Sequence, residues 1–237
     1  MEFKPRLLAS LMLVAVSVAQ ADDGQKIYTQ GGAQPAATAC FACHGADGMG
    51  MPAAGFPRLA GLSADYLRKQ LEDFRSGSRE NPVMQPLAKA LSEAEIQAVT
   101  RTLAAMPAPK TPLVSREQVP NGPGAQLALR GAWDRQIPEC VMCHGPGGVG
   151  VGSAFPPLAG QSAAYLSAQL NAWRDGSRHN DSNDLMGHIA KSLTPEEIKA
   201  VTEYFATLGS QGRFPQVAGM SFSYDATRTA QVLDSTT

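Results

Sequence analysis

The four cysteines of this 237-residue chain fall into two copies of one pattern, Cys40-Phe41-Ala42-Cys43-His44 and Cys140-Val141-Met142-Cys143-His144. Two thiols three positions apart, with an imidazole beside the second, suit covalent attachment of a c-type haem. The thiols add to the two vinyl groups of the macrocycle, and the adjoining imidazole is then held under the ring as the proximal iron donor. Two other chemistries use the same residue types. Paired CxxC motifs can close around one Zn²⁺, but a gap of about 100 residues and a histidine after each pair are unlike a zinc ribbon. A thioredoxin-type dithiol needs a βαβ setting, of which the sequence shows no sign. Repetition of the motif favours two covalently bound haem c groups. Cys40, Cys43, Cys140 and Cys143 are then the attachment sites, and His44 and His144 the proximal iron ligands.

The repetition runs far beyond the motifs. Phe56–Leu71 (FPRLAGLSADYLRKQL) matches Phe155–Leu170 (FPPLAGQSAAYLSAQL), and Arg75–Arg79 (RSGSR) matches Arg174–Arg178 (RDGSR). Met84–Thr100 matches Met186–Thr202. Of nine methionines, only Met84 and Met186 stand at matching positions, which makes this pair the candidate sixth ligands of the two irons. For the other methionines, soft core filler is the better reading. His188 is the competing donor in the second copy. The Phe-Pro-x-Leu-Ala-Gly segments are expected on the proximal side. There the carbonyls of Pro57 and Pro156 can accept the remaining N–H of each ligating histidine; the alternative is plain loop rigidity. Arg75, Arg79, Arg174 and Arg178 are candidates to pair with haem propionates, or else simply finish helix ends in solvent. Tyr66 and Tyr165 read as core residues with satisfied hydroxyls.

The elements that must carry these groups read as helices. Ser63 and Ser162 can cap helices whose apolar residues recur at helical spacing, and Gly77 and Gly176 stop them. Capping boxes at Ser92-x-x-Glu95 and Thr194-x-x-Glu197, the second with Pro195 at N1, open the last helix of each copy. Gly24 and Gly31 match Gly124 and Gly131 in the entry helices. No run alternates with the period of a strand, so the fold class is all-α.

Composition narrows the function. A net charge of −1 argues against a nucleic-acid partner. Aromatic residues make up only 6%, so a haem in each domain would supply the missing core filler. At the start, Lys4 and Arg6 precede an apolar run to Ala19 and an Ala19-Gln20-Ala21 site, the pattern of an export leader. The run is shorter than the ~20 residues a membrane-spanning helix needs. The expected organisation is a signal peptide over 1–21, a first domain over 22–106, a linker over 107–123 with five prolines, a second domain over 124–212, and a tail over 213–237. The expected location is the periplasm, with no retained transmembrane segment.

Taken together, the two CxxCH motifs, the two FPxLAG segments and the Met84 and Met186 segments resemble the class I c-type cytochromes. As a tandem they resemble the diheme cytochrome c4 family, over almost the whole chain after the leader. The resemblance implies two small domains related by a pseudo-twofold axis, each with one His/Met haem. It also implies single-electron transport from quinol-oxidising complexes to a terminal acceptor such as a haem-copper oxidase. The partners are then redox proteins, soluble or membrane-bound. Full axial ligation closes an iron to substrates, so an enzyme is not expected. The competing readings are a cytochrome subunit of a membrane dehydrogenase or oxidase complex and, more distantly, a diheme peroxidase-type enzyme. A sulfur-oxidising enzyme resembling thiosulfate dehydrogenase would want a cysteine on its active iron, and no cysteine is spare. Asp181 and Asp184, acidic where the first copy has Asn81-Pro82-Val83, are expected to lower the second haem's potential if they lie near its ring.

Overall fold

In a computed structural model, residues 23–111, 114 and 119–209 are described. The expected leader and the whole of the expected tail lie outside them. The first half contains α1 (residues 23–30), α2 (Phe41–His44), α3 (Ala64–Ser76), α4 (Met84–Ala90) and α5 (Glu93–Ala105). The second repeats the order with α6 (Pro123–Arg130), α7 (Cys140–His144), α8 (Ala163–Asp175), α9 (Leu185–Ser192) and α10 (Pro195–Thr207). Among the described residues, the only β structure is a set of isolated bridges. The chain is all-α, as its periodicity requires.

The helix ends follow from local chemistry. Ser63 and Ser162 accept the backbone N–H of Tyr66 and Tyr165, and Gly77 and Gly176 close α3 and α8 in the left-handed conformation. Both capping boxes are formed, at Ser92 with Glu95 and at Thr194 with Glu197. Pro123, the last of the five linker prolines, is the first residue of α6, where its missing N–H costs nothing.

In each half the first and last long helices cross at backbone distance. A Cβ on Gly24 would come within 2.3 Å of the Ala98 carbonyl oxygen in α5. A Cβ on Gly124 would come within 2.1 Å of the Ala200 carbonyl oxygen in α10. Only glycine fits at either crossing. Each half has its own core, built on Tyr28, Ile96, Val99 and Leu103 in the first and on Leu129, Ile137, Ile198 and Phe205 in the second.

The two halves meet through polar groups. Arg79 and Arg178 face each other in an antiparallel bridge. It is flanked by bonds from Glu80 N–H to the Ser177 carbonyl (2.8 Å) and from His179 N–H to the Ser78 carbonyl (3.0 Å). The Gln161 side chain accepts the Arg58 N–H and donates to the Arg58 carbonyl, both at 3.0 Å.

Candidate haem sites

The proximal groups share one helical turn. Cysteines at i and i+3 and a histidine at i+4 project from the same side of a helix. The His44 amide bonds to the Cys40 carbonyl at 2.9 Å, which closes that turn. His44 Nδ1–H donates to the Pro57 carbonyl at 3.0 Å, and His144 Nδ1–H to the Pro156 carbonyl at 2.7 Å. Each bond fixes the tautomer and leaves Nε2 with a free lone pair, the form a metal needs. Burial pushes both imidazoles below the ordinary histidine range, against the pull of the proline carbonyls. The acceptor role expected of Pro57 and Pro156 is therefore present. Their segments are pinned: the amides of Leu59 and Ala60 both bond to the Gly48 carbonyl, and those of Leu158 and Ala159 to the Gly148 carbonyl.

None of the four cysteines is in a disulfide. Burial raises the Cys40 thiol to about 11 and the Cys140 thiol to about 12, the opposite of an activated redox dithiol. No cluster of three or more His, Cys, Asp or Glu side chains suited to a metal ion occurs among the described residues.

In the first half, Cys40, Cys43, His44 and Met84 open onto one cavity of about 440 Å³. Leu59, Leu67, Leu71, Phe74 and Leu87 make much of its wall apolar. A planar macrocycle with two reactive vinyl groups, one nitrogen donor and one thioether donor fits this set of residues. The Met84 segment is oriented by Asn81, whose Oδ1 accepts the Met84 N–H at 2.9 Å. In the second half Asp181 does the same work: Oδ2 accepts the Met186 N–H at 2.6 Å, while Oδ1 accepts Trp173 Nε1–H at 2.7 Å. Met186 is half-buried, and His188 is exposed. Two positions along a helix turn a side chain by ~200°, so His188 looks away from the face that carries Met186.

The arginines divide. Arg75 is engaged at a helix end. It donates to the carbonyls of Ala88 (3.3 Å) and Leu91 (2.7 Å) and ties down the end of α4. The unpaired carbonyls of that helix end attract it. Arg79 and Arg178 are buried at the interface between the halves, so neither finishes a helix end in solvent. The hydroxyl of Tyr165 accepts from Arg79 at 2.8 Å, across the interface rather than inside one core. Sequence reading overlooked Gln70, Gln169 and Gln161, and did not foresee that Arg58 is buried. A detectable signal existed: Gln70 and Gln169 recur at matching positions, each three residues after a leucine.

A family model for cytochrome c matches residues 21–107 and again 124–209. The chain belongs to the cytochrome c family. Its likeness to cytochrome c4 extends over both domains: the crystal structure of reduced recombinant cytochrome c4 from Pseudomonas stutzeri aligns with a TM-score of 0.65 and 32% identity, over 79% of this chain and 98% of that one. A thiosulfate dehydrogenase (TsdBA) from Marichromatium purpuratum aligns with a TM-score of 0.71 and 44% identity, over 79% of this chain but 40% of that longer one. The thiosulfate dehydrogenase electron acceptor of Stutzerimonas stutzeri (strain A1501) is 65% identical over 205 residues, 86% of this chain and 95% of that protein. This cytochrome c is therefore a diheme electron carrier of the cytochrome c4 type, two tandem domains with two covalently bound haem c groups.

Proposed function

We propose that this cytochrome takes single electrons from a thiosulfate-oxidising dehydrogenase and hands them to a more oxidising acceptor such as a haem-copper oxidase. The observation that carries the reading is the 65% identity to a thiosulfate dehydrogenase electron acceptor along 95% of that protein's length. Cytochrome c4 likeness alone implied a quinol-oxidising complex as donor, and that reading is the comparison in the test. We assign haem attachment to Cys40, Cys43, Cys140 and Cys143, and axial ligation to His44 and Met84 in the first domain and to His144 and Met186 in the second. The domain limits are 22–106 and 124–212, and the leader-like residues 1–21 support a periplasmic location.

When bound, each haem supplies a one-electron iron couple, which a methionine ligand keeps at high potential. The chain does the rest. His44 and His144 are oriented by proline carbonyls. Asn81 and Asp181 set the first turn of the methionine-bearing helices. The leucine-rich wall of the first cavity would shield a bound ring from water. Two protein ligands per iron leave no coordination position for a substrate, which supports a carrier rather than an enzyme.

The test mixes the oxidised holoprotein with a thiosulfate dehydrogenase and follows the reduced-haem absorption by stopped flow. Rapid reduction on adding thiosulfate, faster than with a quinol-oxidising complex and quinol, is expected. Reduction by the quinol-oxidising complex alone would overturn the assignment of the donor.

A further inference from the structure

The peptide group that joins Pro57 to Arg58 is hydrogen-bonded at both ends. Its carbonyl accepts His44 Nδ1–H at 3.0 Å, and its N–H donates to Gln161 Oε1, also at 3.0 Å. Gln161 belongs to the second domain. Its Nε2 donates to the Arg58 carbonyl at 3.0 Å, which fixes the way the amide faces, and its Oε1 also accepts the Ser162 N–H at 3.1 Å. Arg58 is held in place by Nη1 on the Ala60 carbonyl (2.6 Å) and by Nη2 on the Ala159 carbonyl (3.4 Å), the second bond crossing the domain boundary. Arg58 and Gln161 are each 3% exposed, so this run of bonds is closed to solvent.

The second domain cannot build the same relay. The Pro156 carbonyl accepts from His144 at 2.7 Å, but the next residue is Pro157, so that peptide has no N–H to engage. The first copy, for its part, has Leu62 where the second has Gln161. Both differences between the repeats point one way: the second domain reaches into the proximal peptide of the first. A peptide whose N–H is bonded carries more negative charge on its carbonyl oxygen, and bonds in series strengthen one another by roughly 10–30% each. A stronger acceptor at Nδ1 makes the imidazole more basic at Nε2. A more basic axial ligand favours Fe³⁺ and lowers the reduction potential.

We propose that Gln161 of the second domain is a positioning residue for His44: through the peptide between Pro57 and Arg58 it raises the basicity of the first iron's proximal ligand and holds that haem's potential down. Pro157 excludes the second haem from this control, so the copies differ in a tuning device although their axial ligand types are the same. The inference rests on the assignment of His44 to the first iron and is independent of which protein donates the electrons.

The test pairs a redox titration of the holoprotein with NMR of its reduced form, reading the Nδ1–H signals of His44 and His144. Gln161→Leu and Gln161→Met remove the acceptor without changing charge. Each should raise the first haem's midpoint potential and move the His44 Nδ1–H signal upfield, as a weakened hydrogen bond does, with the second haem and His144 unchanged. Gln161→Glu keeps a stronger acceptor and should move the His44 signal downfield and lower the first potential. A merely loosened interface would admit water and lower the potential in the Leu and Met variants, so the sign separates the two causes. A first potential that falls or stays in those variants, or a His44 signal that does not move, would overturn the relay; equal shifts in both haems would overturn its confinement to the first. Were His44 not an iron ligand, its ring protons in the wild type would lack the upfield ring-current shift of an axial imidazole, which distinguishes failure of that assignment from failure of the relay.

Discussion

Met186 and His188 sit two residues apart, and the choice between them turns on direction rather than affinity. Imidazole is a good iron donor, but His188 is exposed, whereas the N–H of Met186 is anchored by Asp181. Met186→Ala should open the second iron to carbon monoxide and cyanide, remove its sulfur-to-iron absorption band and lower that haem's potential, with the first haem unchanged. His188→Ala should change none of these. Asp181 itself was legible only as a charge, and the structure gives that charge a different task. Its two oxygens take the N–H groups of Trp173 and Met186, and Asp184 is exposed and lies 3.2 Å from Lys191. Both carboxylates are thus partly compensated. Asp181→Asn/Asp184→Asn should raise the second haem's potential only slightly in a redox titration, and Asp181→Asn alone should loosen Met186. The cysteines, histidines and methionines stand out in the sequence as candidates because a covalent motif and a repeat register constrain them. Gln70 and Gln169 also recur in register, but the repeat carries no sign of their role, which lies in a surface formed only when two distant segments meet.

At the scale of elements, most helix boundaries were readable. Caps are local, and Ser63, Ser92, Ser162 and Thr194 act within a few residues of their own position. Ser92→Ala and Thr194→Ala should each cost ~1 kcal/mol in denaturant unfolding. The Ser92 N–H holds the Glu95 carboxyl below its usual range, and Arg135 does the same for Glu197. A carboxyl lowered in the folded state stabilises fully above its unfolded value, and the gain fades as pH falls through the folded one. Melting temperature should therefore drop on acidification below about pH 4.5, the ordinary value for glutamate, and Glu95→Gln with Glu197→Gln should flatten that slope. Gly24 and Gly124 were visible as a repeat, but not for what they permit. Gly124→Ala should destabilise by about 1–3 kcal/mol or more, because the added methyl meets backbone that cannot yield.

The whole molecule presents apolar side chains beside its cofactor-bearing motifs. Phe41 (41% exposed) and Met142 (56%) lie inside the two CxxCH motifs, and Val83 (49%) and Leu185 (41%) directly precede the candidate methionine ligands. With a net charge of −1, the chain has little long-range field with which to steer a partner. Contact should depend on these patches. Met142→Glu with Leu185→Glu should slow electron exchange with the physiological donor severalfold in stopped flow, with both potentials unchanged. The wild-type rate should vary only weakly with ionic strength. The tandem plan and the all-α class followed from the repeat, but the contact between the repeats did not. Its groups are polar, and a polar residue on a helix gives no sign from sequence whether it meets solvent or another domain.

The glycine crossings also impose an order on synthesis. α1 packs on α5 and α6 on α10, so the first helix of each domain waits for the last. Cys40 and Cys43 emerge well before Ala98 and Thr102, and Cys140 and Cys143 well before Ala200. While the chain grows, each pair of thiols is displayed on a segment that cannot yet close. Pairing of distant segments comes late in any case, because the loop between them must be ordered first. The length of chain between motif and final helix thus sets how long each pair of thiols stays uncovered. Sealing follows when that helix arrives, first for the amino-terminal domain and then for its partner.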